Sequence, residues 1–295
     1  MKKLINTETR LIGLLGYPLK HSFSPAMQNA AIEEHNLNKL YIPIEVQKKD
    51  LDTVVKGISR MNFDGFNVTI PYKVDIIKYL DDIDESALMA GAVNTVVIKS
   101  GKMKGFNTDG RGFILAFKAG TSESVQGKKF LVLGSGGAAR AIMVSLVLNG
   151  AEQVFLHNRT HEKALRLVEE ISSKIKNSCR IKAVSDMELS SITKESKVII
   201  NATSVGMYPN VEDDPIDKSF LQKKHIVCDI VYNPENTKLL ETAARIGCKT
   251  LSGTGMLVYQ GIESFRLWTG KAVSPDTMFR AIDLEKQEHW PEGQH

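Results

Sequence analysis

The sharpest constraint in the 295-residue sequence is Phe130-Leu131-Val132-Leu133-Gly134-Ser135-Gly136-Gly137-Ala138-Ala139-Arg140, followed by the apolar stretch Ala141 to Leu148. A short apolar run that stops at glycine and restarts as a helix-compatible segment reads as strand, turn and helix. In such a unit the first glycine permits a tight turn and the second lets backbone amides approach a pyrophosphate. A small third residue, here Ala139, lets the helix pack closely. Gly134, Ser135, Gly136, Gly137 and Ala138 are therefore candidates to hold phosphates at a helix N-terminus. Glycines also end strands for purely structural reasons, so it is the strand before and the helix after that favour dinucleotide binding.

In this type of unit an NAD-preferring site usually ends its second strand with Asp or Glu, about 20 residues beyond the glycines, to accept from the ribose 2′-hydroxyl. The corresponding strand here ends Leu156-His157-Asn158-Arg159-Thr160, with no carboxylate. Arg159 can instead pair with a 2′-phosphate through its planar fork of donors, and Lys163 lies one helical turn further on. The expected cofactor is NADP, with Asn158, Arg159, Thr160 and Lys163 among the residues that bind it. The alternative is that Arg159 is only a solvated charge at a strand end.

The rest of the chain alternates strand and helix. Arg10 to Tyr17, Leu40 to Val46 and Gly65 to Ile70 read as strands, the last stopped by Pro71; Leu51 to Met61 and Val74 to Leu80 have helical periodicity. Ser24 is expected to cap a helix with Pro25 at its first position and apolar residues Met27, Ala30, Ala31 and Leu37. After the polar stretch Thr121 to Gly127 a second α/β unit begins, with further strands at Val154 to Leu156, Val198 to Asn201 and Ile226 to Ile230 and a polar loop from Tyr208 to Asp217. Such alternation predicts mostly parallel sheets.

Composition narrows the function classes. With 42% hydrophobic and 24% charged residues the chain can bury a large core, divided between two domains. The net charge is only +4 and is scattered, which excludes a nucleic-acid binder of the basic-patch kind. No apolar run is long enough to cross a bilayer, and Asn6 to Arg10 interrupts any apolar stretch near the N-terminus, so no membrane association is expected. Cys179, Cys228 and Cys248 have neither CxxC spacing nor neighbouring paired histidines; buried thiols in a reducing cytoplasm are expected, with no metal.

Several strings carry a family likeness. His21-Ser22-Phe23-Ser24-Pro25, Asn67-Val68-Thr69-Ile70-Pro71-Tyr72-Lys73, Gly91-Ala92-Val93-Asn94-Thr95 and Asn107-Thr108-Asp109-Gly110 occur in this order. They continue through the glycine turn, Asn158-Arg159-Thr160, Asn201 to Met207 and Gly253 to Gly261. Together, over nearly the whole chain, they closely resemble the shikimate dehydrogenases, within the wider shikimate/quinate dehydrogenase superfamily. The resemblance implies a substrate-binding α/β domain over 1–108 and 252–295, and a doubly wound Rossmann-type NADP domain over 109–251. It places the active site in the cleft between them. The implied reaction is NADPH-dependent reduction of 3-dehydroshikimate to shikimate, reversibly, on the route through chorismate to aromatic amino acids. The implied partner is that small-molecule substrate. The sequence does not fix the oligomeric state, and a homodimer is compatible with it.

Hydride addition to a ketone builds negative charge on the carbonyl oxygen, so an acidic donor must stand within hydrogen-bond reach. The resemblance assigns that catalytic role to Lys73 acting with Asp109. It assigns Ser22 and Ser24 to the substrate carboxylate and Thr69, Asn94, Tyr232 and Gln260 to its hydroxyls. Ile230 and Gly253 match positions near the nicotinamide. Without the surrounding strings Lys73 would read as an exposed charge and Asp109 as a loop cap. His21 is left out of the catalytic set, because a lone histidine is more often structural. Two other readings compete: a quinate/shikimate dehydrogenase of broader substrate and cofactor use, against which Ser22, Ser24 and Arg159 count, and a nucleotide-sensing regulatory protein without turnover, against which Lys73 and Asp109 count.

Overall fold

Strand β1 (Arg10–Gly16) carries apolar residues on both faces, with Ile12 and Leu15 fully buried, the composition of a strand covered on both sides. It lies between β2 (Lys39–Glu45) and β3 (Phe63–Val68) and pairs in parallel with each. The computed structural model describes residues 5–20, 22–175 and 179–289. Along the chain the other elements are α1 (Ser24–Glu34), α2 (Leu51–Ile58), β4 (Asp82–Ile83), α3 (Glu85–Ala90), β5 (Thr95–Lys99), β6 (Lys102–Phe106) and α4 (Asp109–Thr121). Next come β7 (Lys129–Leu133), α5 (Gly137–Leu148), β8 (Gln153–His157), α6 (His161–Lys174), β9 (Arg180–Val184), α7 (Asp186–Glu195) and β10 (Val198–Asn201). The last are β11 (Ile226–Asp229), α8 (Lys238–Ile246), β12 (Lys249–Leu251), α9 (Gly253–Thr269) and α10 (Pro275–His289). Two units divide these elements: the described residues of Met1–Leu88, Ala92–Thr108 and Gln260–His295 form the first, and those of Met89–Gly91 and Asp109–Tyr259 the second. In this division the last stretch of the first unit begins at Gln260, within α9.

The first unit's sheet runs β2-β1-β3-β5-β6-β4. Parallel pairing is interrupted at β5, which is antiparallel to both β3 and β6. The cause is local. Ser100 and Gly101, at φ +52° and +74°, form a two-residue turn with both residues left-handed, a geometry that matches strand twist and reverses the chain at once. Helix α1 ends at Glu34, short of Leu37, and the 74–80 segment forms a 3-10 turn over Asp75–Tyr79 instead of an α-helix. Ser24 does not cap α1: Phe23 holds the N-cap position and Ser24 is already helical. Its N–H is taken up by Ser22 Oγ at 3.3 Å, so the capping hydroxyl comes from two residues upstream.

The second unit is doubly wound. Its sheet runs β12-β11-β10-β7-β8-β9 with every neighbouring pair parallel, the order characteristic of dinucleotide-binding folds. Alternate residues of β7 feed two cores. Phe130 and Val132 pack with Phe113 and Phe117 of α4, Ile142 of α5 and Leu167 of α6. Leu131 and Leu133 pack with Leu189 and Ile192 of α7 and Leu239 of α8. This double burial explains why the strand reads as an unbroken apolar run.

At the far end of β11 sits a buried carboxylate. Asp229 Oδ1 accepts from Asn201 Nδ2 and from the backbone N–H of Val231, both at 3.0 Å, and Oδ2 accepts from Thr237 Oγ1 at 2.8 Å. Thr237 is in turn the N-cap of α8, its Oγ1 accepting from the N–H of Leu240. One side chain therefore fastens the ends of β10 and β11, the following turn and the start of α8. Burial outweighs these donors and pushes the Asp229 pKa up to about 6. A raised folded-state pKa means the fold holds the proton more tightly than the unfolded chain, so this group's contribution is greatest at acid pH and is lost as pH rises through about 6. Between pH 4 and pH 7 the unfolding free energy of Asp229→Asn should therefore gain on that of the wild type by about 2 kcal/mol, as read from urea titrations. A constant difference across that range would reject the assignment.

Candidate active site

The glycine turn after β7 is built from steric necessity. Gly134 has φ +104°, and a Cβ there would lie 2.9 Å from the Ala202 carbonyl oxygen, so both conformation and space demand glycine. Gly136 is the N-cap of α5 and has no side chain to cap it, while a Cβ at that position would meet open space. This 12-residue helix therefore starts without a side-chain cap from its N-cap residue, beside an exposed glycine, which is the condition under which backbone N–H groups and the helix dipole hold phosphate oxygens. Gly137 and Ala138 begin that helix, and Ala139, fully buried, packs it against the sheet.

Beside it, Ser135 Oγ donates to Asn158 Oδ1 at 3.1 Å, and Asn158 Nδ2 donates to the carbonyl of Thr160 at 2.9 Å. These two bonds tie the glycine turn to the segment after β8. Arg159 and Lys163 are exposed there, and neither has an ion-pair partner among the described residues. The segment after β8 brings two cations and no carboxylate of its own, and the carboxylate at the strand end, Asp186 of α7, lies 2.7 Å from His157 Nε2; two cations so placed fit a 2′-phosphate rather than a 2′-hydroxyl. The second unit thus offers donors for both the pyrophosphate and the third phosphate of NADP. In the same unit, a Cβ on Gly253 would lie 2.3 Å from the carbonyl oxygen of Ile230, so the turn bearing Ile230 can close onto α9 only because position 253 is glycine. Tyr232 on that turn is half-buried, and Asp109 is the buried first residue of α4.

The remaining candidates lie in the first unit. Tyr72 is buried and its hydroxyl donates to the carbonyl of Val46 at 2.5 Å. That anchor fixes the turn on which the half-buried Lys73 follows, and Lys73's own carbonyl accepts from the N–H of Val93 at 2.7 Å, next to Asn94. Thr69, half-buried, accepts through its carbonyl from the N–H of Tyr72. Asn94 Nδ2 reaches Gln260 Oε1 at 3.3 Å, joining residues that the sequence separates by most of the chain. Ser22 is half-buried and Ser24 buried at the start of α1. His21 lies outside the described residues.

Around Asn94 and Gln260 stand polar residues that sequence reasoning did not single out. Asn67, Thr95, Thr108 and Ser264 are all buried and mutually hydrogen-bonded. Asn67, Thr95 and Thr108 fall within the quoted strings, but nothing in their spacing shows that they meet; Ser264 falls in none of them. Among the described residues no cluster of three or more His, Cys, Asp or Glu side chains could hold a metal ion, and no helix is long and apolar enough to cross a membrane.

Comparison with known proteins places this arrangement. Three family models match: the shikimate dehydrogenase substrate binding domain over residues 14–96, shikimate / quinate 5-dehydrogenase over 117–238 and the shikimate 5'-dehydrogenase C-terminal domain over 253–282. The shikimate dehydrogenase (NADP(+)) of Methanopyrus kandleri is 40% identical over 94% of this chain and 96% of its own length. The Thermus thermophilus shikimate 5-dehydrogenase, solved with NADP(H) and shikimate, superposes with a TM-score of 0.84 at 35% identity, over 93% of this chain and 99% of the other. A quinate dehydrogenase from Corynebacterium glutamicum, solved with NAD, gives 0.86 at 31% identity over 94% and 99%. With its two units, its glycine turn and its family matches running from residue 14 to residue 282, the chain belongs to the shikimate dehydrogenase family.

Proposed function

We propose that the chain is an NADP-dependent dehydrogenase that interconverts 3-dehydroshikimate and shikimate in the cytoplasm, on the route to aromatic amino acids. The observation that carries this reading is the N-terminus of α5, uncapped by a side chain of its N-cap residue, with the exposed cations Arg159 and Lys163 beyond β8, which have no ion-pair partner among the described residues, in a chain that also carries Lys73 on an anchored turn. When bound, NADPH supplies a hydride to the substrate ketone and NADP+ accepts one from the alcohol. What the chain must add is a proton at the matching moment.

Lys73 fills that role in both directions. As hydride reaches the carbonyl carbon, the ammonium gives its proton to the oxygen that becomes the hydroxyl; in oxidation the neutral amine takes that proton back. Asp109 is assigned to hold the ammonium in orientation and to bind substrate. Ser22 and Ser24 offer two hydroxyls to the substrate carboxylate from one helix start. Thr69, Asn94, Tyr232 and Gln260 are assigned to the ring hydroxyls, where fixed donors and acceptors discriminate better than apolar contacts do. Ile230 and Gly253, closed together by the missing Cβ, would help to exclude water from the nicotinamide.

The competing reading is a quinate dehydrogenase that uses NAD, as in the Corynebacterium glutamicum structure. Arg159 in place of an acidic residue weighs against it.

Following formation of the reduced nicotinamide, NADPH or NADH, should show strong turnover of shikimate with NADP+ and little of quinate with NAD+; comparable rates for the second pair would overturn the choice. Lys73→Ala should lower kcat by about 100- to 10,000-fold while NADPH binding, read by fluorescence titration, stays near wild type. Unchanged turnover would reject the lysine's role. Removing the guanidinium with Arg159→Ala should raise KM for NADP+ by about 10- to 100-fold and leave KM for NAD+ nearly untouched, because the lost contact is made only to the 2′-phosphate. Equal effects on both cofactors would place Arg159 elsewhere.

A further inference from the structure

We propose that Ser264, a fully buried residue one helical turn beyond Gln260 on α9, is a positioning residue for substrate recognition, acting through Gln260 and Asn94. The proposal rests on the shikimate reading above and deepens it. Its basis is hydrogen-bond polarity. Two backbone groups have fixed roles, and they force the orientation of three side-chain amides in turn.

The N–H of Thr108 points at the Asn94 side chain at 2.8 Å, so the atom facing it must be the acceptor, Oδ1. Asn94 Nδ2 then faces the other way and donates to Thr108 Oγ1 at 2.9 Å and to Gln260 Oε1 at 3.3 Å. Gln260 consequently turns its acceptor toward Asn94, and its Nε2 donor end lies on the opposite side. On the other flank the carbonyl of Asn94, 3.0 Å away, requires the Nδ2 end of Asn67, whose Oδ1 accepts from the hydroxyl of Tyr41 at 2.8 Å. No amide in this chain of contacts can flip without setting two donors or two acceptors against each other in a buried region.

Ser264 Oγ stands where the two flanks meet. It donates to the carbonyl of Gln260 at 3.0 Å and lies 3.1 Å from Asn67 Nδ2, 2.7 Å from Thr95 Oγ1 and 3.1 Å from Thr108 Oγ1. Thr95 has a second acceptor within reach, Asn94 Oδ1 at 3.1 Å. With its own proton committed to the Gln260 carbonyl, Ser264 draws the shorter Thr95 bond to itself and leaves Asn94 Oδ1 to Thr108, whose N–H lies at 2.8 Å and whose hydroxyl lies at 3.2 Å. Without that hydroxyl, Thr95 turns to Asn94, the carboxamide is pulled from its place, and the contact that sets Gln260 loosens. Substrate recognition weakens while the cofactor residues, all in the second unit, are untouched.

The test is a double-mutant cycle on the full-length enzyme, with steady-state kinetics in shikimate and in NADP+. Ser264→Ala should raise KM for shikimate by about 2- to 10-fold, the range that one net hydrogen bond provides, with kcat within about twofold and KM for NADP+ unchanged. In a Gln260→Ala background the same substitution should have no further effect on KM for shikimate. An unchanged KM for shikimate in Ser264→Ala, or an equal rise in both backgrounds, would overturn the proposal. Should Ser264→Ala fail to fold, Ser264→Cys, whose thiol accepts only weakly, carries the same two expectations and the same two refutations, and Thr95→Val added to it, which removes the hydroxyl that pulls on Asn94, should return KM for shikimate toward the wild-type value. Failure of the reading on which all this rests shows separately, as a wild-type enzyme that does not oxidise shikimate at all.

Discussion

The first-turn amides of α5 must stay rigid, uncapped and open to solvent, and the second unit is arranged around that requirement. Such amides cannot be left exposed on a loose element, because a mobile helix start would lose the alignment that makes several weak dipoles act together on a phosphate. Rigidity comes from β7, whose successive side chains enter two separate cores and so clamp the strand from both faces. It comes also from the missing Cβ atoms, since Gly134 lets the chain turn against the Ala202 carbonyl before the helix begins. Ser135 and Asn158 then tie this turn to the strand end that carries Arg159, so that the helix start and the exposed guanidinium are held in register.

In the first unit the corresponding constraint is the cost of burying polar groups. Asn67, Asn94, Thr95, Thr108 and Ser264 are nearly or fully inaccessible, and each unpaired donor or acceptor there would cost on the order of 1–3 kcal/mol. Close pairing satisfies them, and it gives each amide a single orientation. A site built on such groups presents a fixed pattern of donors and acceptors before any ligand arrives. An alcohol that differs by one hydroxyl is best rejected in this way, since the mismatch leaves a buried partner unsatisfied.

How much of this the sequence discloses depends on distance along the chain. Strand, glycine turn and helix are contiguous, so residues 130–148 could be read from periodicity and glycine placement. Arg159 could be read because the fold fixes its offset from the glycines. The Ser264 cluster could not, for Ser264 meets Asn67, Thr95 and Thr108 across 156 to 197 positions and a serine inside a helical pattern carries no mark of its partners. Local rules also erred where two candidates compete. Ser24 followed by Pro25 looks like a cap, yet Ser22 supplies the hydroxyl and Ser24 is drawn into the helix. Ser100-Gly101 is a turn signal for the β5–β6 hairpin, but the alternation of strand and helix on either side points to a parallel continuation instead.

Both units concentrate their expensive groups at strand ends. Asp229 closes β11, with Asn201 at the end of β10 as one of its partners; Asn67 lies in β3 near its end and Asn94 just before β5. Strand ends are where backbone pairing stops and side chains must take over the unpaired amides and carbonyls, so polar residues are drawn there in any α/β fold. They are also where turns can be shaped to meet a ligand. The two demands coincide in Asp229, which accepts the Val231 N–H and so holds the turn bearing Ile230 and Tyr232. A neutral group at position 229 would avoid the desolvation that raises its pKa, but it would offer fewer lone pairs to three converging donors. A carboxylate in so buried a place is costly, and what it supplies in return is three fixed contacts that shape this turn.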